Sequence, residues 1–139
     1  GNEYKDRGAK IMISKLDAEH LENCDEIMQP DWAKKEFGEA KPCKPDVKLV
    51  EGDRVRNSNW DLKVVSVPGH TPGGIALFDE KKKILFTGDT VYSNETFGTW
   101  DHPGGDRMEL TKSILKIKKI NFEMLCPGHN EWKHRKDLD

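Results

Sequence analysis

The chain has 139 residues, 35% of them charged, and its formal net charge at pH 7 is only -2. This balance argues against nucleic acid or an anionic membrane as a partner and leaves a small-molecule substrate as the expectation. The absence of a long apolar run and the three scattered cysteines (24, 43 and 126) favour a soluble, cytoplasmic protein without a disulfide framework.

The first half of the chain is predicted to begin with a strand over residues 9–14 and a helix over 17–28. Asp17 lies near the start of that helix, Pro30 lies beyond its end, and His20 is predicted on its exposed surface. Three prolines interrupt residues 29–46, which we therefore predict to be a surface loop. Further strands are predicted at residues 47–50, 53–56, 60–67, 74–78 and 83–87.

One later helix is marked clearly by the sequence. Residues 106–109 (DRME) have the form of a capping box, and Leu110, Ile114 and Ile117 follow at helical spacing. This helix is expected to pack on the sheet that contains a strand over residues 121–126. Strands followed by mixed strands and helices predict an α/β sandwich with potential ligands at one end of the strands.

The segment 65–74, VSVPGHTPGG, holds His70 in a tight loop with a Pro-Gly pair on each side. Proline fixes φ and glycine supplies unusual dihedral angles, so the imidazole is held rigidly at a strand end. A lone loop histidine is more often a surface residue than a ligand. A metal ion becomes the better explanation only if further ligands accompany it.

Two downstream segments supply such ligands. Residues 84–90 (ILFTGDT) place Asp89 at the end of an apolar run, and residues 124–130 (MLCPGHN) place His129 after another. A Gly-Asp pair after a strand is by itself more often a turn. Imidazole and carboxylate groups together suit zinc and similar divalent ions, so the sequence predicts a metal site at His70, Asp89 and His129.

These three motifs resemble the last three metal motifs of the metallo-β-lactamase-fold hydrolases, over nearly the whole chain. The resemblance implies a four-layer αββα sandwich and a site for two zinc ions, with iron or manganese as other candidates. The two histidines would hold one ion each, Asp89 would bridge them, and a metal-bound hydroxide would be the nucleophile. The loop 92–105, which ends in Pro-Gly-Gly-Asp, looks most like the glyoxalase-II-type branch.

The family motif His-x-His-x-Asp-His, which lies upstream of these three, is missing here. The opening residues resemble the segment that follows it in relatives, so we expect residues 1–139 to be a single domain that is truncated at its N-terminus. Gly1 is then not the native start. Such a domain is expected to expose apolar core surface, covered by a homodimer partner or by the missing N-terminal half.

The resemblance implies a thioester, ester or lactone hydrolase, weakly active or inactive as this chain alone because it has at most three ligands. No catalytic residue is assigned, and the substrate-binding residues stay undetermined. Two alternatives keep the same fold: a catalytically inactive binding or subunit module, and a di-iron redox relative. His102, in the loop after Asp89, is predicted either to contact substrate or a carboxylate beside the ligands, or to lie in solvent.

Overall fold

The computed structural model describes residues 2–138, so Gly1, with the prediction about the native start, and Asp139 lie outside the described residues. Its elements in chain order are α1 (Asn2–Asp6), β1 (Met12–Ser14), α2 (Ala18–Asn23), α3 (Asp31–Phe37), β2 (Val47–Leu49), β3 (Arg54–Arg56), β4 (Asp61–Ser66), β5 (Ile75–Asp79), β6 (Ile84–Gly88), α4 (Arg107–Lys118), β7 (Met124–Pro127), β8 (Lys133–His134) and a 3₁₀ turn (Arg135–Asp137). Among residues 2–138, no helix combines the length and the apolar character that crossing a membrane requires.

The strands form two sheets. A two-stranded sheet pairs β1 with β2 in parallel, and a six-stranded sheet has the order β3-β4-β5-β6-β7-β8. Within the larger sheet β6 and β7 are parallel, and the other neighbours are antiparallel. Because β5 runs antiparallel to both β4 and β6, the carboxyl ends of β4, β6 and β7 lie at one edge of the sheet.

The hydrophobic core lies between this sheet and α4. Phe78, Leu85 and Leu125 are register partners on three adjacent strands, and they pack with Ile117 of α4 and with Phe122 just after it. The helix begins where the sequence predicts, because the side chain of Asp106 accepts a hydrogen bond from the backbone N–H of Glu109 at 3.0 Å. The predicted α/β class is confirmed.

The opposite face of the six-stranded sheet is apolar but less well covered. The register Val64–Leu77–Phe86–Cys126 crosses four strands on this face, and all of these side chains except Val64 are only half-buried. Leu62, Ile84 and Met124 on the same face are also half-buried. A second copy or a further segment packed on this face stays a prediction.

Three predictions in the first half are wrong. The segment 29–46 is not wholly a loop, since Asp31–Phe37 form α3 directly after Pro30, so the prolines bracket this helix instead of preventing it. The helix predicted over 17–28 ends at Asn23, where Cys24 adopts a left-handed φ of 49°. His20 is half-buried rather than exposed, because its Nδ1 lies 2.7 Å from Oδ2 of Asp25.

Leu85→Ala tests the core between the sheet and α4. Leu85 is 0% exposed, so its truncation should lower the free energy of unfolding by about 2–5 kcal/mol. The matched control is Leu115→Ala on the outer surface of α4, where the side chain is 54% exposed and the expected change is within about 0.5 kcal/mol. Urea denaturation measures both, and equal losses would contradict this packing.

Candidate functional site

His70, Asp89 and His129 meet at the edge of the sheet where β4, β6 and β7 end. His70 lies in the loop after β4, Asp89 directly follows β6, and His129 comes two residues after β7. Nε2 of His70 is 3.7 Å from Oδ2 of Asp89, and Nε2 of His129 is 3.4 Å from Oδ1. Each imidazole therefore faces a different oxygen of one carboxylate.

Glycines make this close approach sterically possible. The backbone N–H of Gly128 donates to the carbonyl of Gly88 at 2.7 Å, which brings the ends of β6 and β7 together. A Cβ on Gly128 would collide with Oδ1 of Asp89, and one on Gly98 would collide with the backbone oxygen of Asp89. A side chain at position 128 would therefore displace the carboxylate, and one at position 98 would displace the backbone of Asp89.

The carboxylate of Asp89 is not fully satisfied by the protein. Its Oδ1 is buried and has no hydrogen-bond partner among residues 2–138. A buried polar atom without a partner is costly and usually marks a bound ion, a water or a catalytic role. An anionic oxygen that faces an imidazole nitrogen is suited to a cation between them.

The environment of His70 fixes its tautomer. Its Nδ1 lies 2.8 Å from the carbonyl oxygen of Thr99 and 3.3 Å from Nε2 of His102. Because a carbonyl can only accept, we assign the proton of His70 to Nδ1, which leaves a lone pair on the Nε2 that faces Asp89. This is the tautomer that a metal-ligating histidine requires.

His102 contacts His70 rather than a carboxylate or open solvent. Its ring is half-buried, and its centroid lies 4.8 Å from that of His70 at an interplanar angle of 76°. Its Nδ1 is 3.1 Å from the carbonyl oxygen of Pro103, which points the unprotonated Nε2 towards His70. A contact between His102 and a substrate stays a prediction.

Asp17, predicted only as a helix-start residue, binds the His70 loop through its side chain. Its carboxylate is buried and accepts bonds from the hydroxyl of Thr71 and the backbone N–H of Gly73, each at 2.7 Å. It makes no side-chain capping bond to α2 within the described chain. No local sequence pattern indicates this role, because the two partners are more than 50 residues away.

Helix α4 holds the same loop from its other side. The backbone N–H of Asp106 donates to the carbonyl of Gly69 at 2.8 Å, and the hydroxyl of Ser113 donates to the carbonyl of Pro68 at 2.7 Å. Gly69 has a φ of 127°, and a Cβ there would collide with the backbone of Leu110. The loop is thus fixed at both flanks of His70.

Tyr92 is a residue of the site that the sequence analysis did not single out. Its ring lies 5.7 Å from that of His129. Burial, and then the neighbouring carboxylate of Asp89, raise the pKa of Tyr92 to about 12, so the phenol keeps its proton at neutral pH. Its position three residues after Asp89, just beyond a strand, was the available indication.

The predicted ligands are brought together as two pairs that share one carboxylate. Two ligands bound at about 2.1 Å to one tetrahedral zinc ion lie about 3.4 Å apart, close to both observed histidine–carboxylate spacings. No group of three or more His, Cys, Asp or Glu side chains within residues 2–138 is arranged to hold a single ion. Each histidine is therefore paired with one oxygen of Asp89, and no third such side chain completes either pair within the described residues.

Comparison with known proteins identifies relatives. The family model described as the metallo-beta-lactamase superfamily matches residues 7–129. A probable metallo-hydrolase of Methanocaldococcus jannaschii is 34% identical over 125 residues, which are 86% of this chain and 57% of that protein. The hydroxyacylglutathione hydrolase of Francisella philomiragia is 26% identical over 131 residues, covering 92% and 52%.

Two further matches bear on substrate and metal. The acyl-coenzyme A thioesterase MBLAC2 of Gallus gallus is 41% identical over 103 residues, 73% of this chain and 37% of that protein. The crystal structure of TTHA1623 in a di-iron-bound form superimposes with a TM-score of 0.73 at 27% identity, covering 91% of this chain and 60% of that one. The chain thus spans between roughly a third and three fifths of these relatives' lengths.

Asp17→Ala tests whether the buried carboxylate holds the His70 loop. Removing it leaves the Thr71 hydroxyl and the Gly73 N–H without their acceptor, at a cost of about 1–3 kcal/mol for each group. We expect a lower free energy of unfolding in urea and faster hydrogen exchange of the Gly73 amide. Asp31→Ala, which removes an exposed carboxylate of α3, is the control, and an equal effect of both variants would refute this role of Asp17.

Proposed function

The chain belongs to the metallo-beta-lactamase superfamily, and we propose that it forms part of a metal-dependent hydrolase that cleaves thioesters, esters or lactones. The observation that carries this proposal is the position of Asp89 between two imidazoles. One oxygen faces His70 and the other faces His129, and the oxygen facing His129 is buried without a hydrogen-bond partner in residues 2–138.

In this proposal His70 and Oδ2 of Asp89 would hold one divalent cation, and His129 and Oδ1 would hold the other. Imidazole nitrogen with carboxylate oxygen is a donor set that zinc favours, and iron and manganese accept it as well. The fit is supported by the assigned tautomer of His70 and by the glycine contacts that admit the carboxylate.

Bound there, a divalent cation supplies Lewis acidity, which polarises a carbonyl and lets water ionise near neutral pH. The residues of this chain provide orientation and charge. The carbonyl of Thr99 keeps His70 in the tautomer with its proton on Nδ1 and a free lone pair on Nε2, and the carboxylate of Asp89 lies between the two histidines. Tyr92 keeps a hydrogen-bond donor beside Asp89, because its pKa is raised to about 12.

Two relatives support the substrate class. A hydroxyacylglutathione hydrolase and an acyl-coenzyme A thioesterase, both similar to this chain, are named for acyl compounds. We propose that this chain acts on the same chemical class, with the activity of the chain alone weak or absent. The reason is that each cation position has only two ligands from residues 2–138.

A second candidate function is redox chemistry at two irons. It is favoured by one observation, the di-iron-bound form of TTHA1623, which shares 27% identity with this chain. The same donor atoms bind both metals and iron also suits the hydrolase, so the reaction of the iron-loaded protein separates the two functions. Reversible loss of its visible absorbance on chemical reduction, without hydrolysis of a model thioester, supports the redox function, and hydrolysis of the thioester supports the hydrolase.

The zinc content of the chelator-stripped and reconstituted protein tests the metal proposal. We expect fewer than two tightly bound zinc ions per chain and slow hydrolysis of a model thioester. Asp89→Asn should weaken zinc binding at both positions, and His70→Ala and His129→Ala should each weaken one, by about ten-fold or more. Competition with a chromogenic chelator measures these affinities.

His134→Ala is the matched control, since His134 is exposed on β8. It should bind zinc as the unmodified protein does. Equal zinc affinity in the control and in Asp89→Asn would refute the site. Two zinc ions bound tightly by the unmodified chain would contradict the statement that each cation position is incompletely ligated.

A further inference from the structure

A cavity of about 520 Å³ opens beside His70, and neither His129 nor Tyr92 lines it. Four parts of the chain line it: Asp17 just before α2, the segment between α2 and α3 with the first turn of α3, the loop after β4, and the loop before α4. Its volume lies within the range of about 300–1,000 Å³ that is usual for small-molecule sites. Because the ring of His70 forms part of its wall, the cavity begins at the candidate metal site.

The apolar part of the cavity lining, which we call the far wall, is formed by Ile27, Met28, Pro30, Trp32 and Pro103. Trp32 is 60% exposed, so a group that entered the cavity would cover apolar surface that is now in contact with water.

The charges around the cavity disfavour an anion. The two acidic residues in its lining are Asp17 and Asp101, and no Lys or Arg of residues 2–138 lines it. Asp17 is buried, and both of its carboxylate oxygens already accept hydrogen bonds from the His70 loop. The walls therefore suit an uncharged apolar group.

Hydrogen bonds fix the far wall in place. Oδ1 of Asp25 accepts from the backbone N–H of Ile27 at 3.1 Å, while Oδ2 of Asp25 bonds His20, which lowers the pKa of Asp25. The side chain of Gln29 bonds the carbonyl of Gly38 at 2.7 Å and the N–H of Ala40 at 2.8 Å, which fixes the turn before α3 to the chain after it.

Gly104 joins this wall to the other two loops. A Cβ on Gly104 would lie 3.1 Å from Ile27 and 3.0 Å from Pro72. The three segments are therefore in contact around the cavity, and a ligand meets a wall that is already formed. Preformed walls reduce the entropy cost of binding.

We propose that this cavity, which we call the aliphatic pocket, binds the apolar chain of an uncharged ester, thioester or lactone whose reacting carbonyl lies at the His70 and Asp89 end. This inference rests on the proposed function and adds the substrate class to it. Neither the metal ligands nor the named substrates of the relatives assign this pocket. Substrates with a short or anionic chain are disfavoured.

Titration of the metal-free protein with butanamide, octanamide and octanoate tests the pocket, because amides are uncharged and binding needs no turnover. Ligand-observed NMR gives the dissociation constants. We expect the affinity for amides to rise roughly three- to four-fold for each methylene that becomes buried. Octanamide should bind more tightly than octanoate and should shift the indole N–H resonance of Trp32.

Two variants locate the binding. Trp32→Ala should weaken octanamide binding about ten-fold by removing part of the apolar wall, and Met28→Trp should abolish it by filling the cavity. The matched control is Trp132→Ala, because the indole of Trp132 is 58% exposed and lies outside the pocket lining. This variant should bind octanamide with unchanged affinity. Thermal unfolding of each variant verifies that it is folded.

Three results would overturn the proposal: affinity independent of chain length, tighter binding of octanoate than of octanamide, or equal losses in the Trp32 and Trp132 variants. Zinc titration of the same samples separates this inference from the proposed function. If zinc binds at Asp89 but octanamide does not bind, the pocket alone is refuted. If octanamide binds at Trp32 but zinc does not bind, the hydrolase proposal fails and a binding site for an apolar chain remains.

Discussion

The parallel arrangement of β4, β6 and β7 is the constraint on which the candidate site depends. Since these strands end at one edge of the sheet, the loops that follow them place two histidines and one aspartate around a common point. Glycine at position 128 then leaves room for the Asp89 carboxylate, and glycine at position 98 leaves room for the Asp89 backbone oxygen. The strand order brings the loops together, and the glycines allow the close distances between atoms in these loops.

The His70 loop joins this sheet edge to the rest of the protein through buried polar contacts. Asp17 holds the loop from the region of β1 and α2, and Asp106 and Ser113 hold it from α4. A ligand histidine fixed from several sides loses little entropy when it binds a cation, which favours affinity. These contacts also explain why the buried side chain of Asp17 is tolerated, because both of its oxygens are paired with donors.

The candidate metal site and the aliphatic pocket both include His70, and the two parts of this region differ in polarity. The metal side combines a carboxylate with an unpartnered buried oxygen and two imidazoles, whereas the pocket side is apolar and is bounded by a half-buried histidine pair. A substrate with a polar reacting group and an apolar chain matches this division. The half-covered apolar face of the six-stranded sheet is a separate feature, on the side of the sheet opposite α4.

The sequence alone determined the parts of this structure that depend on local patterns. Strand-like runs bounded by turn residues predicted the strands from β2 to β6, the capping residues predicted the start of α4, and the Pro-Gly-His and Gly-Asp segments predicted which strand ends carry candidate ligands. Tertiary structure decided the rest, because it depends on residues distant in sequence. The bonds from Asp17 to the His70 loop and the contact between His70 and His102 join residues that are more than 30 positions apart and leave no local pattern. Helix α3 was not predicted because the prolines that flank it were interpreted as marks of a loop, and the aliphatic pocket exists only where separate segments meet.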